Sequence, residues 1–413
     1  MAEPLQEFDA VVLGGGIAGF SAAYFLARRA KRVALVTQGP GATALSSGAW
    51  DFGPIASTQS IAESVASSDW KEIFSKVLVE GGVELATHPF ETTSQELFSA
   101  LQSHLGFGAS WTRPALLPCT SGWFRRTYAF QKPHGGAQLD FSKSTRIGVV
   151  ASRRWRFRAD FLSRQWNAQA RVHKVPAEFQ AIDLGIEESG VDIPLARVTA
   201  MLRARPDYAQ VIGAALSKLG DSVDGLILPP IFPQASSFLA ATERLSIPVG
   251  ESLASTEIAP GHRLQQAMEA TLGESGITFF KAQRLQAQTA NGVVRELLLS
   301  RDGENTPAVV RAQEFVLATG RYFSGGLART PQRLEEPLFG LPLYGGHFGS
   351  KDLSRESGLK LDAAYRPVAE DGRAAFSNLR AAGSIVGGVH YPAFQMGLGW
   401  FAQSGRLSVA SVV

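Results

Sequence analysis

Six residues near the amino terminus constrain this chain more than any others. Gly14-x-Gly16-x-x-Gly19 stands between an apolar run, Phe8–Leu13 (FDAVVL), and a segment with Ile17, Phe20, Tyr24 and Ala27 at three- and four-residue spacing. The run reads as a buried strand and the segment, over 16–29, as a helix. A second strand over Arg32–Val36 completes a strand–turn–helix–strand unit. In such a unit the first glycine permits the tight turn, the second lets a phosphate approach the backbone, and the third lets the helix pack on the sheet. The helix N-terminus then offers its free N–H groups and positive dipole end to the anion. Gly14, Gly16 and Gly19 therefore read as a nucleotide-cofactor turn; a purely structural glycine turn is the competing reading.

Three further segments narrow the cofactor. The second strand ends Leu35-Val36-Thr37-Gln38, with no carboxylate until Asp51, where dinucleotide folds usually place an acid on the adenosine ribose. The ribose is held another way, or there is none, as in FMN. The loop 43–53 (TALSSGAWDFG) brings Ser46, Ser47 and Gly48 as donors to a phosphate, ribityl chain or isoalloxazine edge. The strand-turn Val316–Gly320 (VLATG), with Thr319 and Gly320, matches the turn that two-dinucleotide-domain flavoproteins place beside their cofactor. Near the carboxyl terminus, 378–388 reads NLRAAGSIVGG, with Gly383, Ser384, Gly387 and Gly388. In glutathione-reductase-like flavoproteins such a strand ends in Gly-Asp, and here Ser384 stands in the acid's place. The helix expected over about 393–411 would point its positive end at the flavin ring.

The fold expected is α/β, a Rossmann-like flavin-binding domain of glutathione-reductase/fumarate-reductase type. That domain is discontinuous, 1–93 and 249–413, around an inserted α+β cap, substrate or partner-binding domain over 94–248. Helices are expected at 70–80, 95–105, 160–169, 208–219 and 263–272, and a hairpin turning at Asn291-Gly292. One cysteine, Cys119, excludes a disulfide framework, a cysteine zinc site and an iron–sulfur cluster held by this chain alone. No metal is expected. Ala10–Ala27 carries no charge, yet Glu3, Glu7 and Asp9 precede it and GGG interrupts it, so it is neither signal peptide nor membrane span. Between Trp111 and Arg171 lie twelve Lys/Arg against two acids, in a chain whose net charge is only +3. Such a section suits a partner face, an anionic surface or a phosphate. No nucleic-acid-binding motif accompanies it.

Taken together, GGGIAG (14–19), LSSGAWD (45–51), PGHRLQQAM (260–268), ATGRYFSGGL (318–327), EPLFGLPL (336–343) and NLRAAGSIVGG with Gln395-x-Gly397-x-Gly399 resemble one family. It is the B-subunit family of anaerobic glycerol-3-phosphate dehydrogenase, in which serine at the position of Ser384 is part of the pattern. The resemblance implies a flavoprotein subunit holding FMN or FAD noncovalently. It further implies a larger flavoprotein subunit and a membrane-bound iron–sulfur subunit as partners. The activity implied is oxidation of sn-glycerol 3-phosphate to dihydroxyacetone phosphate, with electrons passed to quinone. The location implied is cytoplasmic, at the inner membrane only through those partners. The sequence departs from the family around Val389–Pro392 (VHYP) and lacks the cysteine often seen in the following glycine cluster.

Oxidising a secondary alcohol requires a base for the hydroxyl proton and a hydride acceptor. His347 (GGHFG) and His390 (GGVHYP) adjoin the glycine-rich segments and are the candidate bases, with Arg321 a candidate anion contact. Two readings of other kinds compete with the dehydrogenase: an electron-relay or assembly flavoprotein with no substrate site of its own, and a stand-alone fumarate-reductase-type flavin dehydrogenase.

Overall fold

In a computed structural model of the protein, the described residues are 5–50, 90–109, 114–140, 142–186, 192–255, 257, 259–300, 306–330, 334–344, 357–387 and 397–412. The helix expected at 70–80 lies outside them.

The amino-terminal strand Gln6–Leu13 is central to a seven-stranded sheet. It pairs in parallel with Val33–Thr37 on one side and Ala308–Leu317 on the other. Thr278–Lys281 extends the sheet beyond Val33–Thr37, and the antiparallel hairpin Arg284–Ala290/Val293–Ser300 extends it at the far edge. The hairpin turns at Asn291 (φ 53°) and Gly292 (φ 68°), the two left-handed residues a type I′ turn requires. The long strand Ala308–Leu317 divides its second edge. Its first residues pair with Val293–Ser300 and its last, Phe315–Leu317, pair in parallel with Leu379–Ala381. That division brings the carboxyl ends of three parallel strands side by side, with Leu13 opposite Leu317 and Leu317 opposite Ala381.

The helix Ile17–Ala27 departs from the expectation of one apolar face, because every residue from Ile17 to Leu26 is buried. A helix apolar all round needs cover on all sides. The helix Leu398–Ser408 supplies part of it, packed so closely that a Cβ on Gly405 would lie 2.1 Å from the Ala18 carbonyl oxygen. The helix Phe90–Leu101 adds Leu97, Phe98 and Leu101 to the same core. There the Trp50 indole donates to Ser94 Oγ (3.0 Å) and packs edge-on to Phe98.

The middle of the chain builds a second sheet of four parallel strands, in the order Val249–Glu251, Gly225–Leu228, Thr145–Ala151, Ala177–Asp183. The helix Ala159–Val172 buries Leu162 and Trp166 in that unit's own core, beside Phe179. A short hairpin, Ala115–Pro118/Phe124–Thr127, stands between this unit and the first sheet. It is pinned to the second sheet where the Thr120 N–H donates to the Leu253 carbonyl and the Trp166 indole donates to the Cys119 carbonyl. Among the described residues no helix is long and apolar enough to cross a membrane.

Candidate functional site

Three glycine turns follow the three aligned strand ends. Gly14 has φ +114°, and a Cβ there would lie 2.3 Å from the Ala318 carbonyl oxygen, so the first turn meets the Val316–Gly320 turn only because neither side chain intervenes. Gly19 has another task. Its Cβ would lie 1.8 Å from the Gly14 carbonyl oxygen, which makes it the contact by which the helix closes on its own turn. At Gly16 the nearest atom to an added Cβ is Thr43 Oγ1, at 3.3 Å. The Ile17 N–H, first of the helix, donates to the same Thr43 hydroxyl (2.9 Å). The third turn, Gly383–Ile385, has its Gly383 N–H held by Ser404 Oγ, on the carboxyl-terminal helix (2.9 Å).

These turns line one wall of a cavity of about 1190 Å³. The wall carries Gly14–Gly16, Thr43, Ser46, Ser47, Thr319, Gly320, Gly383 and Ser384, with Gly397 and Leu398 at the start of the last helix. The opposite wall comes from the short hairpin and its neighbours: Cys119, Ser121, Trp123, Phe124, Arg125, Arg126, Ala254 and Ser255. The volume exceeds the roughly 300–1,000 Å³ of an ordinary ligand pocket, enough for a cofactor and a second small molecule. Among the described lining residues there are two arginines and no carboxylate. Thr319 Oγ1 is buried with no hydrogen-bond partner among the described residues. Two helix N-termini, glycines that admit a phosphate and an orphaned hydroxyl fit a flavin nucleotide. The backbone of Gly14–Gly16 and Thr43 would hold its phosphate, and Ser47, Thr319, Ser384 and the Gly397 end its ribityl chain and ring.

Of the residues singled out in the sequence, Gly14, Gly16, Ser46, Ser47, Thr319, Gly320, Gly383 and Ser384 line this cavity together. Ser46 is already engaged, donating to the Thr43 carbonyl (2.7 Å) and accepting from the Gly48 N–H (3.2 Å). Gly48 is not a lining residue but packs on Gln131, whose Nε2 would lie 1.9 Å from an added Cβ. Gly387 packs against the backbone of Gly358. Arg321 donates to the Ser357 carbonyl and lies over the Tyr322 ring, and is likewise not a lining residue. His347, His390 and Gly388 lie outside the described residues. Five of the twelve basic residues between Trp111 and Arg171 pair with acids: Arg153 with Asp183, Arg156 with Asp192, Arg158 and Arg164 with Asp160, and Arg146 with Asp224. Three of those acids, Asp183, Asp192 and Asp224, lie beyond the counted window.

Sequence reasoning missed Gln265, which donates through Nε2 to the Gly15 carbonyl (3.1 Å) and so holds the glycine turn from behind. Its signal was its place in PGHRLQQAM, the segment of the middle that most resembled the family. The same helix, Ala259–Glu274, carries Arg263, which pairs with Glu251 at 2.6 Å with both side chains almost wholly buried. Glu251 also accepts the Phe232 N–H (2.9 Å), and Arg263 Nε donates to Gln131 Oε1 (2.8 Å). His134, fully buried, places Nδ1 3.0 Å from the Glu251 carbonyl oxygen. Burial drives its pKa down from 6.5 to about 4; the Glu251 charge pulls the other way and Arg263 adds to the fall. Glu336, in EPLFGLPL, is a structural carboxylate: it gathers the N–H groups of Leu338 (2.9 Å) and Phe339 (2.8 Å) into a tight turn. Burial raises its pKa against those bonds.

Residues 9–339, more than half the chain, match the protein family described as FAD binding domain. Among curated proteins, the B-subunit of anaerobic glycerol-3-phosphate dehydrogenase of Yersinia pestis is 23% identical, with 95% of each chain covered. The protein of that name from Pectobacterium atrosepticum is 27% identical over 81% of this chain and 80% of its own. Among solved structures, 3-ketosteroid-delta4-(5alpha)-dehydrogenase from Rhodococcus jostii RHA1 covers 98% of this chain and 97% of its own at 12% identity. Its TM-score is 0.37. The family model spans the first glycine turn, the serine loop, the Val316–Gly320 turn and the whole opposite wall of the cavity. The chain belongs to the FAD binding domain family, and within it is a flavin-dependent oxidoreductase subunit similar to the B-subunit of anaerobic glycerol-3-phosphate dehydrogenase.

Proposed function

We propose that this chain oxidises sn-glycerol 3-phosphate to dihydroxyacetone phosphate, as part of a complex that passes the electrons toward quinone. The observation that carries the reading is the two-walled cavity: glycine turns on one side, an arginine-bearing hairpin on the other, and more space between them than a pocket for one ligand needs. The names of the relatives support the substrate. Bound flavin supplies the two-electron acceptor. The chain's own residues hold it by backbone N–H groups, keep carboxylates away from its phosphate, and present the substrate from the hairpin side. We propose His347 or His390 as the base for the alcohol proton. With a single cysteine the chain cannot ligate an iron–sulfur cluster through its own thiolates. Electrons bound for quinone would then leave through other chains, a larger flavoprotein and a membrane-bound iron–sulfur protein.

The cofactor we propose is FAD. The cavity continues past the end of the second strand, over Gln38–Ala42 to Leu285, where an adenosine would lie. Gln38 stands in the place of the usual acid, its amide donating to the Gln283 carbonyl (3.1 Å). A relay flavoprotein without a substrate site is the second reading. It is favoured by the chemistry of the described lining residues, which include no His, Asp, Glu or Lys. Anaerobic addition of glycerol 3-phosphate to the purified chain separates the two. Bleaching of the flavin band within the turnover time of the complex supports the dehydrogenase. A flavin reduced by the assembled complex but never by this chain alone supports the relay.

A further inference from the structure

Arg126 sits on the strand Phe124–Thr127, opposite Leu116 in the short hairpin, and is only 8% exposed. Its neighbour Arg125 is half-buried, and both line the cavity. The Arg126 guanidinium is hydrogen-bonded to the Tyr128 side chain, but its Nε and Nη1 are buried with no partner among the described residues. Desolvation lowers its pKa from the ordinary arginine value, and a guanidinium remains charged even so. A buried, uncompensated cation is among the most costly features a fold can carry. Arg263, also buried, shows what compensation looks like: it meets Glu251, the Phe232 carbonyl and Gln131. No carboxylate among the described lining residues does that service for Arg126. The hairpin that carries it is fastened to the second sheet at Cys119 and Thr120, so the cost is built into a pinned element.

We propose that Arg126 is the anion-binding residue of a substrate subsite, taking an oxyanion of a small organic substrate on the wall opposite the glycine turns. Nε and Nη1 lie on different edges of the planar guanidinium, so each offers a separate buried, charge-assisted donor to an oxyanion. Ser121 and Ser255 on the same wall add neutral hydroxyls for the remaining oxygens or a substrate alcohol. The position opposite the cofactor turns lets the anion anchor a substrate whose reacting carbon faces the flavin. This rests on the reading of the cavity as a flavin and substrate site, but not on glycerol 3-phosphate being the substrate.

The test uses the full-length holoprotein and three probes: inorganic phosphate, glycerol 3-phosphate and malonate. Each is titrated while the flavin absorbance and the thermal midpoint are followed. Saturable perturbation by an anion is expected in the wild type. In Arg126→Gln the dissociation constant for that anion should rise by about tenfold or more, the loss expected for a charge-assisted hydrogen bond, at unchanged flavin content. Arg126→Lys keeps the charge but not the placed guanidinium donors, so it should fold even if the glutamine variant does not, and should weaken the same anion. Arg146→Gln removes an equal charge from the surface pair with Asp224 and should leave the titration unchanged. Preference for phosphate over malonate identifies a phosphate ester as the substrate class, and the reverse preference a carboxylate. Equal anion affinity in the wild type and both Arg126 variants overturns the subsite, as does loss of flavin from variants that remain folded, which would make Arg126 a cofactor ligand. Binding that depends on Arg126 without any flavin reduction by glycerol 3-phosphate leaves the subsite standing and defeats the proposed dehydrogenase instead. Reduction by glycerol 3-phosphate that both Arg126 variants retain at the wild-type half-saturating concentration does the opposite.

Discussion

The glycines of the first turn are alike in sequence and unlike in task. Gly19 and Gly14 are needed by the backbone itself, since an added Cβ would enter the Gly14 or the Ala318 carbonyl. Gly19→Val should therefore destabilise the fold, by more than the roughly 1–3 kcal/mol of an ordinary overpacked site, and show it as a lowered denaturant midpoint with or without flavin. Gly16 meets only the Thr43 hydroxyl. Gly16→Val should leave the apoprotein midpoint nearly unchanged and remove the flavin, because its methyls would occupy the path of the phosphate. Equal loss of stability in both variants would contradict this division. The motif spacing was legible in the sequence because each glycine answers to a neighbour within a few residues or to a ligand. Arg126 was legible only as one of twelve basic residues. Its burial arises from tertiary packing around a short hairpin, which no local pattern records.

At the scale of the element, the parts found from sequence are those with a strong local signature. The apolar run before GGGIAG, the Asn291-Gly292 turn and the strand leading into Thr319-Gly320 all carry periodicity or a glycine that only one backbone geometry uses. The second sheet was harder. Its edge strand Ala177–Asp183 (AEFQAID) buries little besides Phe179 and has no apolar run, so nothing in the sequence marks it. The helix Ala259–Glu274 was expected to begin after Pro260-Gly261, yet includes both in its first turn. Proline suits that position, where its missing N–H is not needed. The glycine is there for packing: a Cβ on Gly261 would lie 2.4 Å from the Ala44 carbonyl, in the loop that carries Ser46 and Ser47. Gly261→Ala should push that loop toward the cavity and lower flavin occupancy several-fold, measured as the flavin-to-protein absorbance ratio. Full occupancy would show that the loop is not needed to hold the cofactor.

For the whole molecule, the two sheets are joined by a buried polar junction. Glu251 ends a strand of the second sheet, Arg263 comes from the helix behind the glycine turns, and Gln131 accepts from Arg263 Nε, donates to the Pro260 carbonyl and packs on Gly48 of the serine loop. Removing one partner, as in Glu251→Gln, leaves an uncompensated charge and should cost about 3–5 kcal/mol, read by denaturant unfolding. His134 makes the same junction sensitive to pH. Its folded pKa, about 4, lies below the ordinary 6.5, so between those values the unfolded chain binds a proton that the folded chain refuses. Stability is therefore complete above about pH 6.5 and falls as the pH drops toward 4, by on the order of 3 kcal/mol for this group. His134→Asn should flatten that part of the profile; an unaltered slope would assign the acid sensitivity elsewhere. The junction ties the second sheet to the helix Ala259–Glu274, whose Gln265 holds the first glycine turn, and a flavin is expected between the glycine turns and the arginine hairpin. Acid precipitation of the purified full-length protein, with mass spectrometry and quantitation of what is released, detects that flavin. One FAD per chain is expected, released without covalent attachment. A folded protein that yields no flavin, and takes up neither FAD nor FMN when either is supplied, would contradict it.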